Sequence, residues 1–297
     1  MQRTQPFQSS THFTPNPRRE QPMDEEFRGR VGVVAWAVVA AAAVSLFVRL
    51  PAIFVMNFEA LGSPISLQIS DTTLMAAFLA LLSASGAESA IRVHPRFRHQ
   101  NGQWATWSYW ALPAALSILA VILIPQLPSR IAQAAGLLAH GALIATALFA
   151  LYATVDQGAS GFRRGRIFLN VLAYASALAL FLLVYQTRTR SLLSGSVVAL
   201  TATLLAGELL RSTTERRELI LSHALIVGLV LGETTWALNY WPLPGLTGGL
   251  LLLLVFYLIV SLAQHALQER LTRRVIVEFA IFAVFALILI AVVGPGF

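Results

Sequence analysis

The chain has 297 residues, of which 57% are hydrophobic and 12% are charged, and its mean hydropathy is +0.69. Soluble domains are on average about a quarter charged, so most of this chain is expected to lie in lipid. All 21 basic residues are arginines and the formal charge is +7, but these arginines are spread over short connections between apolar runs. Arginines so placed meet anionic lipid headgroups and form no continuous basic face, which argues against nucleic-acid binding.

The chain contains no cysteine. This excludes disulfides, cysteine-ligated zinc, iron–sulfur clusters and thioether-attached haem. The sequence also lacks a nucleophile elbow, a phosphate-binding glycine loop, an HExxH motif and an acidic pair at metal-binding spacing. It therefore predicts no metal site and indicates no cofactor.

The first 28 residues are polar and show no apolar periodicity. Residues 1–28 are predicted to be a disordered cytoplasmic tail, with a docking arm as the alternative. The apolar stretch that follows is too long for the hydrophobic region of a signal peptide, so it is expected to stay as the first membrane span. Residues 29–297 are predicted to form one transmembrane bundle.

A helix needs about 20 mostly apolar residues to cross the hydrocarbon core of a bilayer. Nine segments of the sequence satisfy this length, and short connections join them. The chain is therefore predicted to be an all-α polytopic membrane protein. The predicted spans lie near residues 31–56, 69–92, 105–124, 131–155, 167–186, 191–211, 219–239, 245–267 and 275–293.

The distribution of arginines predicts the orientation of these spans. With the N-terminus in the cytoplasm, 17 arginines lie on the cytoplasmic side, and only Arg130, Arg188 and Arg190 lie outside. Arg49 falls within the first span. Nine spans then place the C-terminus outside, and the predicted location is the inner membrane of a bacterial cell.

Small residues recur within the spans, as in the run Ala40–Ala43 and in Gly228 and Gly232, which lie four residues apart. In lipid, small residues allow helices to approach closely. This pattern predicts a compact bundle in which Gly228 and Gly232 contact a neighbouring helix, with a homodimer face as the alternative. Aromatic clusters around Trp107 and Trp236 are typical of the belts at membrane surfaces, and a pigment or quinone site is the alternative.

Two groups of ionisable residues lie within the spans. The first group lies near the cytoplasmic ends and comprises Glu88, Glu208, His223, His265 and Glu278. Spacings of three or four residues predict local ion pairs of glutamate with arginine, namely Glu88 with Arg92, Glu208 with Arg211, Glu269 with Arg273 and Glu278 with Arg274. A solvated, arginine-paired rim is the prediction. The alternative is that His223 and His265 ligate a haem or, with Glu208 and Glu278, a metal ion.

The second group comprises Arg49, His140 and Glu233, which lie deeper. At about 1.5 Å per residue, all three fall at similar depth in the outer half of the membrane. Isolated charges at this depth are costly, so a charge pair between Arg49 and Glu233 is predicted, with His140 close enough to join it. The alternative is that Arg49 extends outward to the headgroups and Glu233 faces the outer loops separately.

Three segments carry a resemblance to known sequences: SGAESAIRVHP (Ser85–Pro95), ETTWALNYWP (Glu233–Pro242) and LLLLVFYLIVSL (Leu251–Leu262). In these segments the chain resembles a family of uncharacterised bacterial multi-pass membrane proteins. The resemblance covers most of residues 30–293 and implies the same kind of fold. It implies no activity, cofactor or site.

Three classes of function fit these observations. An accessory, assembly or structural subunit that works through contacts with other membrane proteins needs only short loops and an apolar interior. A proton-coupled transporter or channel would use the group of Arg49, His140 and Glu233. An enzyme acting on lipid-linked substrates would have to build its site at the helix ends, since every outer loop is short. The expected partners are anionic lipid headgroups and other membrane subunits.

Overall fold

The computed structural model describes residues 25–47, 54–60, 63–98, 106–187, 191–214, 216–241 and 243–293. These ranges form ten α-helices, two single 3-10 turns and a β-hairpin. The helices are α1 (Glu25–Phe47), α2 (Asp71–Ile91), α3 (Pro95–Arg98), α4 (Ala111–Leu123), α5 (Arg130–Ala153), α6 (Phe162–Thr187), α7 (Ser191–Leu210), α8 (Arg217–Asn239), α9 (Gly245–Leu267) and α10 (Arg273–Val293). The 3-10 turns Trp107–Tyr109 and Ile124–Gln126 flank α4.

Eight helices in these ranges are long and apolar enough to cross a membrane. They are α1, α2, α4 with its flanking turns, and α5 to α9. The predicted helical bundle is therefore confirmed. Helix α10 coincides with the ninth predicted span but is not among these eight, so the count of nine crossings stays a prediction, as does the orientation.

A β-hairpin, which was not predicted from the sequence, follows the first helix. Strands β1 (Phe54–Ala60) and β2 (Ser63–Ile69) pair antiparallel, with Phe54 opposite Ile69 and Ala60 opposite Ser63. The first span was predicted to run to residue 56, whereas α1 ends at Phe47. Two sequence features explain the difference: Pro51 cannot continue a helical hydrogen-bond ladder, and β2 alternates apolar and polar residues with a period of two.

Local capping explains where two of the helices begin. The Ser70 hydroxyl accepts a hydrogen bond from the Thr73 amide at the start of α2, and the Ser129 hydroxyl does the same for Ala132 at the start of α5. These serines satisfy amides that a helix start leaves without a partner. Asp71 lies in the first turn of α2, where an acidic side chain interacts favourably with the positive end of the helix dipole.

Helix α4 lies at the centre of the bundle and packs on α2, α5, α6 and α7. On one side α1 packs on α2 and α5, and on the other α9 packs on α6 and α8. The rings of Phe181 and Phe256 meet edge to face between α6 and α9, with centroids 5.6 Å apart. Helix α10 packs on α9 at the periphery.

Helices α7 and α8 form the closest helix pair. A Cβ atom on Gly228 would lie 1.9 Å from the Thr203 hydroxyl and 2.6 Å from the Ala199 carbonyl oxygen, and a Cβ atom on Gly232 would lie 3.0 Å from the Ala199 side chain. Only glycine fits at such distances. The prediction that Gly228 and Gly232 serve contacts within the bundle is confirmed.

Candidate functional site

The ends of α2, α5 and α7 and the starts of α6 and α8 meet at one end of the bundle. Three of the four predicted local ion pairs are present there or on α10. Glu88 pairs with Arg92, Glu208 with Arg211 at 2.8 Å, and Glu278 with Arg274 at 2.9 Å. The pairs differ in setting, because the Glu278 side chain is 61% exposed and that of Glu208 only 1% exposed.

Glu208 is the centre of a buried network rather than part of a solvated rim. Its Oε2 atom accepts a hydrogen bond from Arg211 Nε, three residues later in the chain, and its Oε1 atom lies 3.3 Å from Nη1 of Arg166 on α6. Arg166 Nη2 also donates to the backbone carbonyls of Glu208 and Leu209 at the end of α7. We refer to Arg166, Glu208 and Arg211 as the clasp.

Arg211 extends the clasp to two further elements. Its Nη2 atom donates to the Thr154 hydroxyl at 2.7 Å, where α5 ends, and its Nη1 atom donates to the Thr154 carbonyl at 3.4 Å. The guanidinium also lies over the ring of Tyr109, 4.3 Å from its centroid. The clasp therefore ties α5, α6, α7 and the turn before α4 together through hydrogen-bonded charges and a cation–π contact.

Local sequence explains part of this arrangement. Glu208 and Arg211 lie three residues apart at the end of α7, where a basic side chain also interacts favourably with the helix dipole. Arg166 lies near the start of α6, where a basic charge is unfavourable unless an anion compensates it. Glu208 supplies that anion from the neighbouring helix.

A polar cavity of about 240 Å³ opens beside the clasp. Its lining includes Arg96, Arg211 and Arg217, together with Tyr109 and Thr154. Among the described residues that line it, three are arginines and none is acidic. Guanidinium and hydroxyl groups in this arrangement suit an anion with several oxygen atoms, such as a phosphate.

His94 lies close to this cavity, in the connection after α2. Its Nδ1 atom accepts a hydrogen bond from the Arg96 amide at 3.2 Å, and its ring packs on Tyr152 with centroids 4.8 Å apart. Burial lowers the pKa of His94 below its usual 6.5. The Arg96 charge lowers that pKa further, while Asp156 opposes both effects.

Glu88 organises a second, smaller polar network at the same end of the bundle. Its carboxylate accepts hydrogen bonds from Trp110 Nε1 at 2.5 Å and from the Thr106 hydroxyl, in addition to pairing with Arg92. This network connects the end of α2 to the start of α4. Trp110, which belongs to the aromatic cluster around Trp107, is thereby held in place by the hydrogen bond that its indole N–H donates.

The remaining residues of the first group lie apart. His223 Nδ1 contacts the Leu219 carbonyl oxygen at 2.8 Å, and His265 Nδ1 contacts the Ser261 carbonyl oxygen at 2.8 Å, each within its own helix. The His265 ring also packs on Phe279 of α10. Within the described ranges, no three His, Asp or Glu side chains cluster closely enough to hold a metal ion.

The structure describes two of the three residues of the deeper group, His140 and Glu233. Arg49 lies outside the described residues, so its pairing with Glu233 stays a prediction. His140 is 6% exposed, and its Nε2 atom has no hydrogen-bond partner among the residues described, whereas Glu233 is exposed on α8. Helix α5 packs on α1, α4 and α6, while α8 packs on α7 and α9.

Arg166, Thr154 and Tyr109 were not predicted from the sequence as members of the site. The fifth span was predicted to begin at residue 167, so Arg166 counted only as a cytoplasmic loop residue. Helix α6 in fact begins at Phe162, which puts Arg166 within the helix. An arginine four residues into an apolar helix is the signal that could have identified it.

Comparison with known proteins identifies a family for this chain. No curated protein and no solved structure matches the chain. A family model described as a protein of unknown function (DUF5656) matches residues 51–293, which include every described helix except α1. With eight membrane-length helices and a match over most of its length, the chain belongs to the DUF5656 family.

Proposed function

We propose that this chain is a multi-pass protein of the bacterial inner membrane that acts as an accessory, assembly or structural subunit of a membrane complex. Its eight membrane-length helices and the predicted excess of cytoplasmic arginines support insertion with the N-terminus in the cytoplasm. The observation that carries the subunit role is the clasp.

The clasp uses its charges to hold helices together. Both carboxylate oxygens of Glu208 are engaged by arginines, and those arginines also bind backbone carbonyls and the Thr154 hydroxyl. A transport pathway needs ionisable groups that exchange partners or protons during the cycle. A buried charge network with several fixed partners instead favours a rigid framework.

The packing of α10 also supports a subunit role. Within the described residues, α9 is the one helix on which α10 packs extensively. Large apolar side chains of α10 are left exposed. Those residues include Ile281, Phe282, Val284, Phe285, Ile288 and Leu289. A peripheral helix of this kind lets a partner helix pack laterally without rearranging the bundle.

Purification of the tagged full-length chain from its own membrane in mild detergent tests this proposal. A partner protein is expected to remain bound at fixed stoichiometry through size-exclusion chromatography. The level of that partner in the membrane is expected to fall when the gene for this chain is deleted. Recovery of the chain only as a monomer or homodimer, with unchanged levels of other membrane proteins, would contradict the proposal.

A proton-coupled transporter is the second candidate, and His140 favours it. This histidine is buried within α5 and its Nε2 atom lacks a partner among the described residues, as a group that takes up and releases a proton would. His140→Gln separates the two candidates. In a strain from which the gene is deleted, the variant should restore the level of the partner protein if the chain is a structural subunit. If His140 carries protons, the variant should abolish proton-coupled transport.

A further inference from the structure

An apolar groove of about 650 Å³ lies on the side of the bundle, between α2, α4, α7 and α8. Four alanines line it, namely Ala80 and Ala84 of α2 and Ala111 and Ala114 of α4. Small side chains at these four positions leave space that larger residues would fill. Leu81, which is 71% exposed, borders the groove, so the groove is open toward the lipid.

The groove extends inward from the charged end of the bundle. Arg217 and Glu218, at the start of α8, line its mouth, and Ala80 lies eleven residues from the end of α2. At about 1.5 Å per residue, the groove reaches roughly 16 Å into the bundle. That depth is about half of a hydrocarbon core of roughly 30 Å, which matches the region occupied by one leaflet.

Arg217 connects this groove to the polar cavity beside the clasp. The same residue lines both spaces, and Arg96 and Arg211 line the cavity with it. Among the described residues that line the cavity there is no carboxylate, while Glu218 lies beside Arg217 at the mouth of the groove. A basic, oxygen-binding cavity therefore adjoins an apolar groove that lies in the membrane.

We infer that these two spaces form one binding site for an anionic phosphate lipid, with the headgroup in the cavity and an acyl or isoprenoid chain in the groove. Basic pockets at the cytoplasmic ends of membrane helices suit anionic headgroups. Guanidinium groups form paired, charge-assisted hydrogen bonds with phosphate oxygens. A headgroup with a compensating ammonium is a poorer match, because the ammonium would meet the same arginines.

The site requires that the helices span a membrane, as proposed above, but it does not require the subunit role. Lipid binding is measured on the purified chain without any partner. Failure of this inference is therefore distinguishable from failure of the proposed function.

The test is lipid binding by the full chain in nanodiscs of phosphatidylglycerol or of phosphatidylcholine, read by native mass spectrometry after release into detergent. The wild-type chain should retain phosphatidylglycerol and not phosphatidylcholine. Arg96→Gln combined with Arg217→Gln should weaken retention by roughly tenfold or more, because charge-assisted hydrogen bonds to the phosphate are lost. Arg164→Gln, an exposed arginine of α6 that lines neither space, is the control and should leave retention unchanged.

A second pair of variants tests the groove independently of charge. Ala114→Phe fills the groove and should displace the lipid, whereas Leu138→Phe, at an exposed position of α5 outside the groove, should not. Thermal unfolding in detergent confirms that each variant is folded. Equal retention of the two lipids, or full retention in both the double arginine variant and Ala114→Phe, would overturn the inference. Stabilisation by inorganic phosphate with no preference between lipids would overturn it in favour of a soluble anion.

Discussion

Glu208 is the shared counter-ion of two buried arginines, Arg166 and Arg211. Its side chain is 1% exposed, and those of Arg166 and Arg211 are 10% and 5% exposed. Two buried positive charges therefore share one negative charge, and the backbone carbonyls at the end of α7 provide further acceptors. Buried charges are tolerated when they are paired and hydrogen-bonded, as they are here.

Glu208→Gln should destabilise the chain by roughly 3 to 5 kcal/mol, because it leaves two buried arginine charges without their counter-ion. Adding Arg166→Met should recover part of that loss, since it removes one unpaired charge. Glu278→Gln is the control, because its pair with Arg274 is largely exposed and should contribute about 0 to 1 kcal/mol. Thermal unfolding in mild detergent measures all three. Equal effects at positions 208 and 278 would contradict the clasp.

The pKa of His94 gives a prediction for pH. Because burial lowers this pKa in the folded chain, the unfolded chain takes up the proton first as the pH falls below 6.5. Stability should therefore be fully present above pH 6.5 and should decrease between pH 6.5 and the lowered pKa. His94→Gln should make the unfolding temperature less dependent on pH over this window. An unchanged dependence in the variant would show that other groups cause it.

The candidate site was predictable from the sequence only where its contacts are local. The pairing of Glu208 with Arg211 follows from a spacing of three residues, and it is present. The contact with Arg166 joins residues 42 positions apart, and no helical spacing encodes it. Burial of Glu208 likewise depends on how α6 and α7 pack, so the local pattern predicted a solvated rim instead.

At the level of elements, hydropathy predicted the helices well and the hairpin not at all. The eighth predicted span, residues 245–267, coincides with α9. A proline before a long apolar run and a charged turn after it determine where the helix begins and ends. Residues 54–69 are also apolar, and over so short a run a strand and a helix end look alike. The alternation in β2 was the available signal.

The contact between α7 and α8 predicts the effect of one methyl group. Gly228→Ala should destabilise the chain by roughly 1 to 3 kcal/mol, because the added Cβ overlaps the Thr203 hydroxyl and the Ala199 carbonyl oxygen. Adding Thr203→Ala should recover only part of this, since the backbone carbonyl remains. Gly32→Ala on α1 is the control, because a Cβ atom added at Gly32 would have no atom of a neighbouring element within 4 Å. A neutral Gly228→Ala would contradict the close packing.

At the scale of the whole molecule, three long-range contacts place several helix ends on one side. Arg30 near the start of α1 donates to the Ser89 carbonyl near the end of α2, and Arg96 donates to the Val155 carbonyl just after α5. The clasp adds the start of α6 and the end of α7. Arg30, Arg96, Arg166 and Arg211, four of the arginines that predicted the cytoplasmic side, thus gather at one end of the structure, near the cavity and the mouth of the groove.

Whether α10 crosses the membrane decides the location of the C-terminus. This helix has 21 residues and covers the ninth predicted span, but it packs mainly on α9. If it crosses, a reporter active only in the cytoplasm should work when fused after Gly158, between α5 and α6, and after Gln268, between α9 and α10, but not at Phe297. The fusions at Gln268 and Phe297 form a matched pair, because only α10 and its short connection lie between them. Activity at both positions would mean eight crossings and a cytoplasmic C-terminus.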